Sequence, residues 1–294
     1  MEELSSVISS RYVPFDGGQF WCGIAGEQDP STSEPLVLVH GGPGFTSYYL
    51  EPLLPLREVV PLVFWDQSGC GRSALPSGRK RFSLDSFTDE LEALRLAIGA
   101  PRMHLLGHSF GGVIIGEYAV RYPEHVASAL FVSASLDIPR WLQDAARLRA
   151  SLPLMTKMVL TEGDRTGNYS SPQYLAAYRE YIDRFIYRFE SVPEVILRSE
   201  RESDPVTYKT VWGPNELVVT GVVKEYSFSS KLPTLKCPTR FMCGRFDEAT
   251  PEAHSYFASL IPGAECVVFE QSAHHPQINE NGRFIEEVKR FLLK

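Results

Sequence analysis

Ser109 lies in the run Gly107-His108-Ser109-Phe110-Gly111, a G-x-S-x-G pattern that directly follows an apolar segment and opens a helical one. On so sharp a turn a serine takes up a strained backbone conformation, and a side chain at Gly107 or Gly111 would collide with neighbouring backbone. The turn exposes the hydroxyl oxygen, and the helix N-terminus behind it favours developing negative charge. A serine hydroxyl is a poor nucleophile by itself, so it needs a histidine base and an orienting acid. Two downstream loops supply candidates. Gly244-Arg245-Phe246-Asp247 follows one apolar segment, and Gln271-Ser272-Ala273-His274-His275 follows the last one. Placement selects Asp247 among the acids, whereas His274 and His275 are adjacent and pattern alone barely separates them. His104, His125 and His254 fall within or before helix and strand patterns and read as structural or solvated. Acyl transfer also needs backbone N–H groups aimed at the developing oxyanion. The loop His40-Gly41-Gly42-Pro43-Gly44 follows the first core strand, and its glycines let backbone approach a substrate closely. The donors expected are the N–H groups of Gly42 and of Phe110, the residue after the nucleophile.

Rigid elements must position these groups. Short apolar runs, several of them β-branched, occupy residues 36–39, 59–65, 103–106, 129–132, 240–243 and 266–269. Amphipathic segments lie between them, including Leu84–Ile98 and residues 113–122. Such alternation predicts a mostly parallel central sheet with helices on both faces, and ligands of such sheets bind at the carboxyl ends of the strands. Ser109, Asp247 and both histidines all follow strand ends, in the chain order serine, acid, histidine of the α/β-hydrolase fold. The alternation breaks between about residues 137 and 231. There Tyr174, Tyr178, Tyr181 and Phe185 recur at i, i+4, i+7 and i+11, one face of a helix. A stripe of this kind packs its segment onto the main domain or, in part, roofs a pocket. The organisation expected is a core domain of residues 1–136 and 232–294 carrying an inserted helical cap of residues 137–231.

The chain has 294 residues, 44% hydrophobic and 22% charged, which suits one α/β domain with an insertion. A net charge of −7 argues against nucleic-acid or anionic-membrane partners, which favour a basic face. Cys22, Cys70, Cys237, Cys243 and Cys266 are an odd, scattered set without a C-x-x-C pair. They suggest neither a disulfide framework nor a zinc site, but reduced thiols of a cytoplasmic protein. The acidic start lacks the basic and apolar regions of a signal peptide. No uninterrupted apolar run approaches the roughly 18 residues that span a bilayer. The basic cluster Arg79-Lys80-Arg81 reads as a solvated loop.

Three segments together are similar to the proline iminopeptidase family of serine peptidases: His40 to Gly44, the run Asp66-Gln67-Ser68-Gly69-Cys70-Gly71-Arg72-Ser73, and residues 107–112. The resemblance covers nearly the whole chain, cap included, with one departure at Ser68, where the family pattern has arginine. The family's histidine motif, laid on Ser272-Ala273-His274-His275-Pro276, implies His274 as the base with His275 in an apolar slot. Trp212-Gly213-Pro214-Asn215-Glu216 resembles a family segment whose glutamate holds the substrate's free amino terminus. A second family glutamate follows the triad aspartate, here Glu248. An α-ammonium has three donors, and two carboxylates in a water-poor pocket would bind it with charge-assisted hydrogen bonds. The resemblance therefore implies a serine aminopeptidase that releases an N-terminal residue, proline or another small or apolar one, through an acyl-enzyme. Its substrate would be a small peptide or an amino-acid amide or ester, and no metal or cofactor is required. The alternatives are an amino-acid ester or amide hydrolase, an acyltransferase, or a general esterase indifferent to a free amine. The complete serine, aspartate and histidine set argues against a non-catalytic binding protein.

Overall fold

The computed structural model describes residues 8–73 and 82–293; the cluster Arg79-Lys80-Arg81 and the start of the chain lie outside them. The strands are β1 (Ile8–Phe15), β2 (Gly18–Ala25), β3 (Leu36–Val39), β4 (Leu62–Asp66), β5 (Met103–His108), β6 (Val126–Val132), β7 (Thr239–Gly244) and β8 (Glu265–Phe269). They form one sheet in the order β1-β2-β4-β3-β5-β6-β7-β8. From β4 to β8 every neighbouring pair is parallel, as the alternation of strand and helix patterns requires. β1 and β2 pair antiparallel with each other, and β2 pairs antiparallel with β4. This hairpin is absent from the strands read in the sequence because most of β1 is exposed and carries no apolar run. A signal was present in the dipeptide Asp16-Gly17, where both residues have left-handed φ, 48° and 76°, as a tight hairpin turn demands.

The helices are α1 (Leu84–Ile98), α2 (Phe110–Arg121), α3 (Ile138–Ala150), α4 (Leu154–Thr166), α5 (Pro172–Ile182), α6 (Glu194–Arg201), α7 (Pro205–Val211), α8 (Pro251–Ser259), α9 (Pro276–Asn279) and α10 (Asn281–Leu292). Successive strand residues point to opposite faces, so the continuous apolar strands feed two cores. Val37, Val39, Leu105 and Phe131 pack with Leu91 of α1, Ile114 of α2 and Phe257 of α8. Leu36, Leu38, Leu106 and Leu130 pack on the other face with Phe284 and Val288 of α10 and with Leu50 and Leu53 of the 3-10 segment Ser47–Glu58. Local signals set helix ends. The Ser83 hydroxyl accepts the Ser86 N–H at 3.1 Å before α1, and Gly99 closes that helix at φ 72°.

Helices α3 to α7 all stand between β6 and β7. The tyrosine stripe belongs to α5 and to the π-helical turn Asp183–Tyr187 that continues it. Tyr174, Tyr181 and Phe185 pack with Leu152 and Leu160, giving these helices a small core of their own. The stripe thus gives the inserted segment a core of its own, and its end also meets the main domain, where the Glu248 N–H donates to the Phe185 carbonyl at 3.1 Å. No helix among the described residues is long and apolar enough to cross a membrane.

Candidate active site

Ser109 stands between β5 and α2 with φ 54° and ψ −121°, a conformation that non-glycine residues adopt only under constraint. Its neighbours supply the constraint. A Cβ at Gly107 would collide with the Gly111 carbonyl, and one at Gly111 with the Val39 carbonyl, so the turn, the helix start and β3 meet backbone to backbone. The Ser109 N–H donates to the Val132 carbonyl at 2.9 Å, tying the turn to β6. Phe110 is the first residue of α2, so its N–H has no acceptor within the helix.

The histidine–acid pair is brought together by stitching two loops. The Arg245 N–H donates to the Phe269 carbonyl at 2.8 Å and the Phe246 N–H to the Ser272 carbonyl at 3.0 Å. Gly244 approaches the Ser272 and Ala273 carbonyls so closely that no side chain fits there. Asp247 Oδ1 consequently lies 2.8 Å from His274 Nδ1, and also accepts the Ala249 N–H at 2.8 Å. A carboxylate only accepts, so the ring proton sits on Nδ1 and Nε2 is left free as a base. Burial pushes the Asp247 carboxyl up, but the adjacent His274 more than offsets this and leaves it below the ordinary range. His275 points elsewhere, its ring stacked on His108 with centroids 5.1 Å apart. Ser109 and His274 line the same cavity of about 520 Å³. Among the described residues no hydrogen bond joins the Ser109 hydroxyl to His274; unliganded sites commonly close this contact only around a substrate.

Gly42 lines the same cavity at φ 114°, and a Cβ there would strike the Phe45 N at 2.6 Å. Its loop is braced by the motif 66–73. Gln67 Nε2 donates to the His40 carbonyl at 2.8 Å, and the Gln67 N–H donates to His40 Nε2 at 3.0 Å. Asp66 receives the Ser47 N–H at 2.8 Å and Arg72 Nε at 2.6 Å, with the guanidinium 3.3 Å from the Trp21 ring centroid. Ser68, the departure from the family pattern, donates its N–H to Glu90 at 2.7 Å.

Glu216 and Glu248 line the cavity that contains Ser109. Glu216 Oε1 accepts the Tyr208 hydroxyl at 2.7 Å, and its backbone N–H donates to the Tyr178 hydroxyl at 3.2 Å. Glu248 is 1% exposed, and among the described residues neither carboxylate oxygen has a hydrogen-bond partner of good geometry, although the nearby Tyr181 hydroxyl favours its ionised form. Burial raises both carboxyls, and the charge of Glu216 pushes Glu248 further up. The cap is fastened at this point, since the Glu248 N–H donates to the Phe185 carbonyl at 3.1 Å and the His274 N–H to the Ile186 carbonyl at 3.2 Å. Of the cap residues expected to shape the pocket, Tyr174, Tyr178 and Trp212 stay behind its wall, and Tyr187, Tyr208 and Ile186 line it instead. The helical period could not separate a ring that lines the cavity from one that supports it. His104 and His125 bond to Ser128 and to the Pro101 carbonyl, and His254 accepts the Ala134 N–H at 2.9 Å, all away from the cavity.

Four buried histidines make the fold acid-sensitive. Burial lowers His40 from 6.5 to about 4 and His108 to about 3, and it depresses His254 and His275 as well. A histidine depressed in the folded state contributes stability that is present above 6.5 and lost as pH falls, because the unfolded chain takes up the proton first. The limiting slope is about 1.4 kcal/mol per pH unit for each histidine. The raised glutamates pull the other way. Urea unfolding is expected to show stability level above pH 7 and falling steadily between pH 6.5 and 4; a flat profile there contradicts the neutral, buried state of these rings.

The sheet order, the strand-to-helix turn at Ser109 and the flanking helices are those of the α/β hydrolases. Residues 34–281 match the family model described as the alpha/beta hydrolase fold. The proline iminopeptidase of Heyndrickxia coagulans is 36% identical over 261 residues, covering 88% of this chain and 90% of that protein. The crystal structure of the proline iminopeptidase of Mycobacterium smegmatis superposes with a TM-score of 0.89 at 31% identity, covering 97% of both chains. That of VinJ superposes with a TM-score of 0.91 at 34% identity, covering 97% of this chain and 98% of the other. The chain belongs to the proline iminopeptidase family, as its motifs anticipate.

Proposed function

We propose that this protein is a serine aminopeptidase that releases an N-terminal proline, or another small or apolar residue, from small peptides and amino-acid amides. The observation that carries the reading is Glu248, a buried carboxylate that has no hydrogen-bond partner of good geometry among the described residues, in the same cavity as Ser109 and Glu216. An unpaired buried carboxylate is unfavourable, and a cationic ligand relieves it. A substrate's α-ammonium set between Glu216 and Glu248 places its first carbonyl, and no later one, within reach of Ser109.

Ser109 Oγ attacks that carbonyl carbon while its proton passes to His274 Nε2. Asp247 holds the imidazole tautomer and stabilises the imidazolium, and the N–H groups of Gly42 and Phe110 receive the oxyanion. The C–N bond then breaks as His274 returns the proton to the leaving amine. Water attacks the resulting ester, again giving its proton to His274, and Ser109 recovers the proton as the free amino acid departs. These steps call on no metal or cofactor. The core at 1–136 and 232–294 carries the nucleophile and the histidine–acid pair, and the cap at 137–231 carries Glu216. The five cysteines are free thiols, and on that ground we place the protein in the cytoplasm.

A panel of aminoacyl p-nitroanilides, with and without N-acetylation, tests the reading. Free-amine substrates are expected to be cleaved and their N-acetylated forms spared. Glu248→Gln is expected to lower kcat/KM for free amines by on the order of 10²-fold, the loss of a desolvated charge pair, while changing residual turnover of acetylated esters little. Equal damage to both classes refutes the amine anchor. The raised carboxyls also give a pH dependence with a defined sign. The glutamates bind an ammonium only when ionised, so KM for free amines should fall as pH rises through their titration. Acetylated substrates should show no such limb, and one present in both classes has another origin.

A further inference from the structure

Tyr49 and His108 take no part in the bond-making steps, yet they connect the three loops that those steps use. The Gly41 N–H donates to the Tyr49 hydroxyl oxygen at 2.8 Å. That hydroxyl lies 2.9 Å from His108 Nδ1, and His108 Nε2 lies 2.7 Å from the His274 carbonyl oxygen. A carbonyl can only accept, so His108 carries its proton on Nε2 and its Nδ1 accepts the Tyr49 O–H. The three bonds therefore run in one direction. They start at the residue before Gly42, pass beside Ser109 and end on the backbone of the base.

The chain is dry and sterically held. Tyr49 and His108 are 1% and 2% exposed. The Tyr49 ring meets His108 edge-on at 5.1 Å, His275 stacks on His108 at 5.1 Å, and His275 also meets the Tyr49 ring edge-on at 5.6 Å. Burial, followed by the neighbouring His274, keeps His108 neutral down to about pH 3, so the proton order persists at any working pH. The loop being held has little slack. A Cβ at Gly41 would lie 2.8 Å from Ser109 Cβ and 2.9 Å from the His108 carbonyl. An oxyanion donor displaced by about 1 Å costs on the order of 10² in rate.

We propose that Tyr49 and His108 are positioning residues that hold the Gly41-Gly42 loop, the Ser109 turn and the His274 backbone in one catalytic register. This rests on the roles given above to Ser109, Gly42 and His274. Tyr49→Phe keeps the ring and its packing but removes the hydroxyl, leaving the Gly41 N–H and His108 Nδ1 without their partner. His108→Gln retains a donor for the His274 carbonyl and loses the acceptor for Tyr49, whereas His108→Leu cuts both links.

The test is steady-state kinetics on a free-amine p-nitroanilide, with thermal unfolding to confirm that each variant is folded. Tyr49→Phe is expected to lower kcat by 10- to 100-fold at unchanged KM, since the amine anchor is untouched. His108→Leu should do at least as much, and His108→Gln should recover part of that loss. The double variant Tyr49→Phe/His108→Gln should be no worse than the poorer single, because one chain is broken either way. A folded Tyr49→Phe with kcat within twofold of wild type overturns the proposal. So does a rise in KM at constant kcat, or additive losses in the double variant. If His108→Leu does not fold, Tyr49→Phe and His108→Gln decide the matter between them. Ser109→Ala separates this inference from the one beneath it: an active Ser109→Ala removes the catalytic reading itself, whereas an inactive one beside a normal Tyr49→Phe removes only the positioning roles.

Discussion

Ser109→Ala is expected to abolish turnover, lowering kcat by on the order of 10⁶, while the protein keeps its fold. The size follows from the chemistry. Without Oγ no acyl-enzyme forms, and the remaining donors and glutamates can only bind substrate. The fold is spared because the strain at this turn belongs to the backbone, held by the Ser109 N–H bond to Val132 and by the close approach of Gly111 to β3. Alanine tolerates φ 54° no worse than serine, so the melting temperature should be little changed. Covalent labelling by a fluorophosphonate reads the same atom independently. Wild type should label once per chain and Ser109→Ala not at all. Activity in the variant at even a tenth of wild type would mean that another group is the nucleophile.

The second large effect is expected at Asp247. Asp247→Asn keeps the shape of the side chain but removes the charge that faces the His274 imidazolium, and kcat should fall by about 10⁴. Asn offers both an amide oxygen and an amide NH₂. If the NH₂ turns toward His274 Nδ1, the ring must place its proton on Nε2 and can no longer serve as a base. KM should change little, because Asp247 is 1% exposed and its bonded oxygen contacts His274 and the Ala249 N–H rather than the cavity. Stability should fall modestly at neutral pH, since the fold favours the ionised carboxylate facing His274 and the variant loses that charge. A loss of less than tenfold in kcat would show that His274 does not depend on this acid for its tautomer.

Much of the fold was legible in the chain. The parallel strands announced themselves as short apolar runs because they are buried on both faces and need no polar alternation. Leu84–Ile98 was readable to the residue, since its apolar face, the serine before it and the glycine after it are all local signals. The β1–β2 hairpin was not seen, because an edge strand with most of its residues in water has no apolar run to display. The tyrosine stripe is a helix face, as its period indicates, and it packs largely within the insert while its end at Phe185 meets the main domain. Periodicity says that a face is buried, not what it is buried against.

The site divides along the same line. By itself the sequence pointed to the nucleophile turn, the glycine loop before it and the acid after β7, each a short motif whose geometry is set by backbone sterics within a few residues. Glu216, upstream of β7, and Glu248, in the loop after it, came only from the resemblance to the family. Between the adjacent histidines the residue pattern left the choice open, the family motif implied His274, and the structure pairs that one with the acid. Only the tertiary structure decided which cap rings line the cavity, and that Tyr49 and His108 join the three loops. Those facts depend on contacts between residues far apart in the chain, as with His108 and His274, 166 positions apart. No local spacing encodes the face on which such loops meet; it is set when the two cores close against the sheet and the last loops are stitched together.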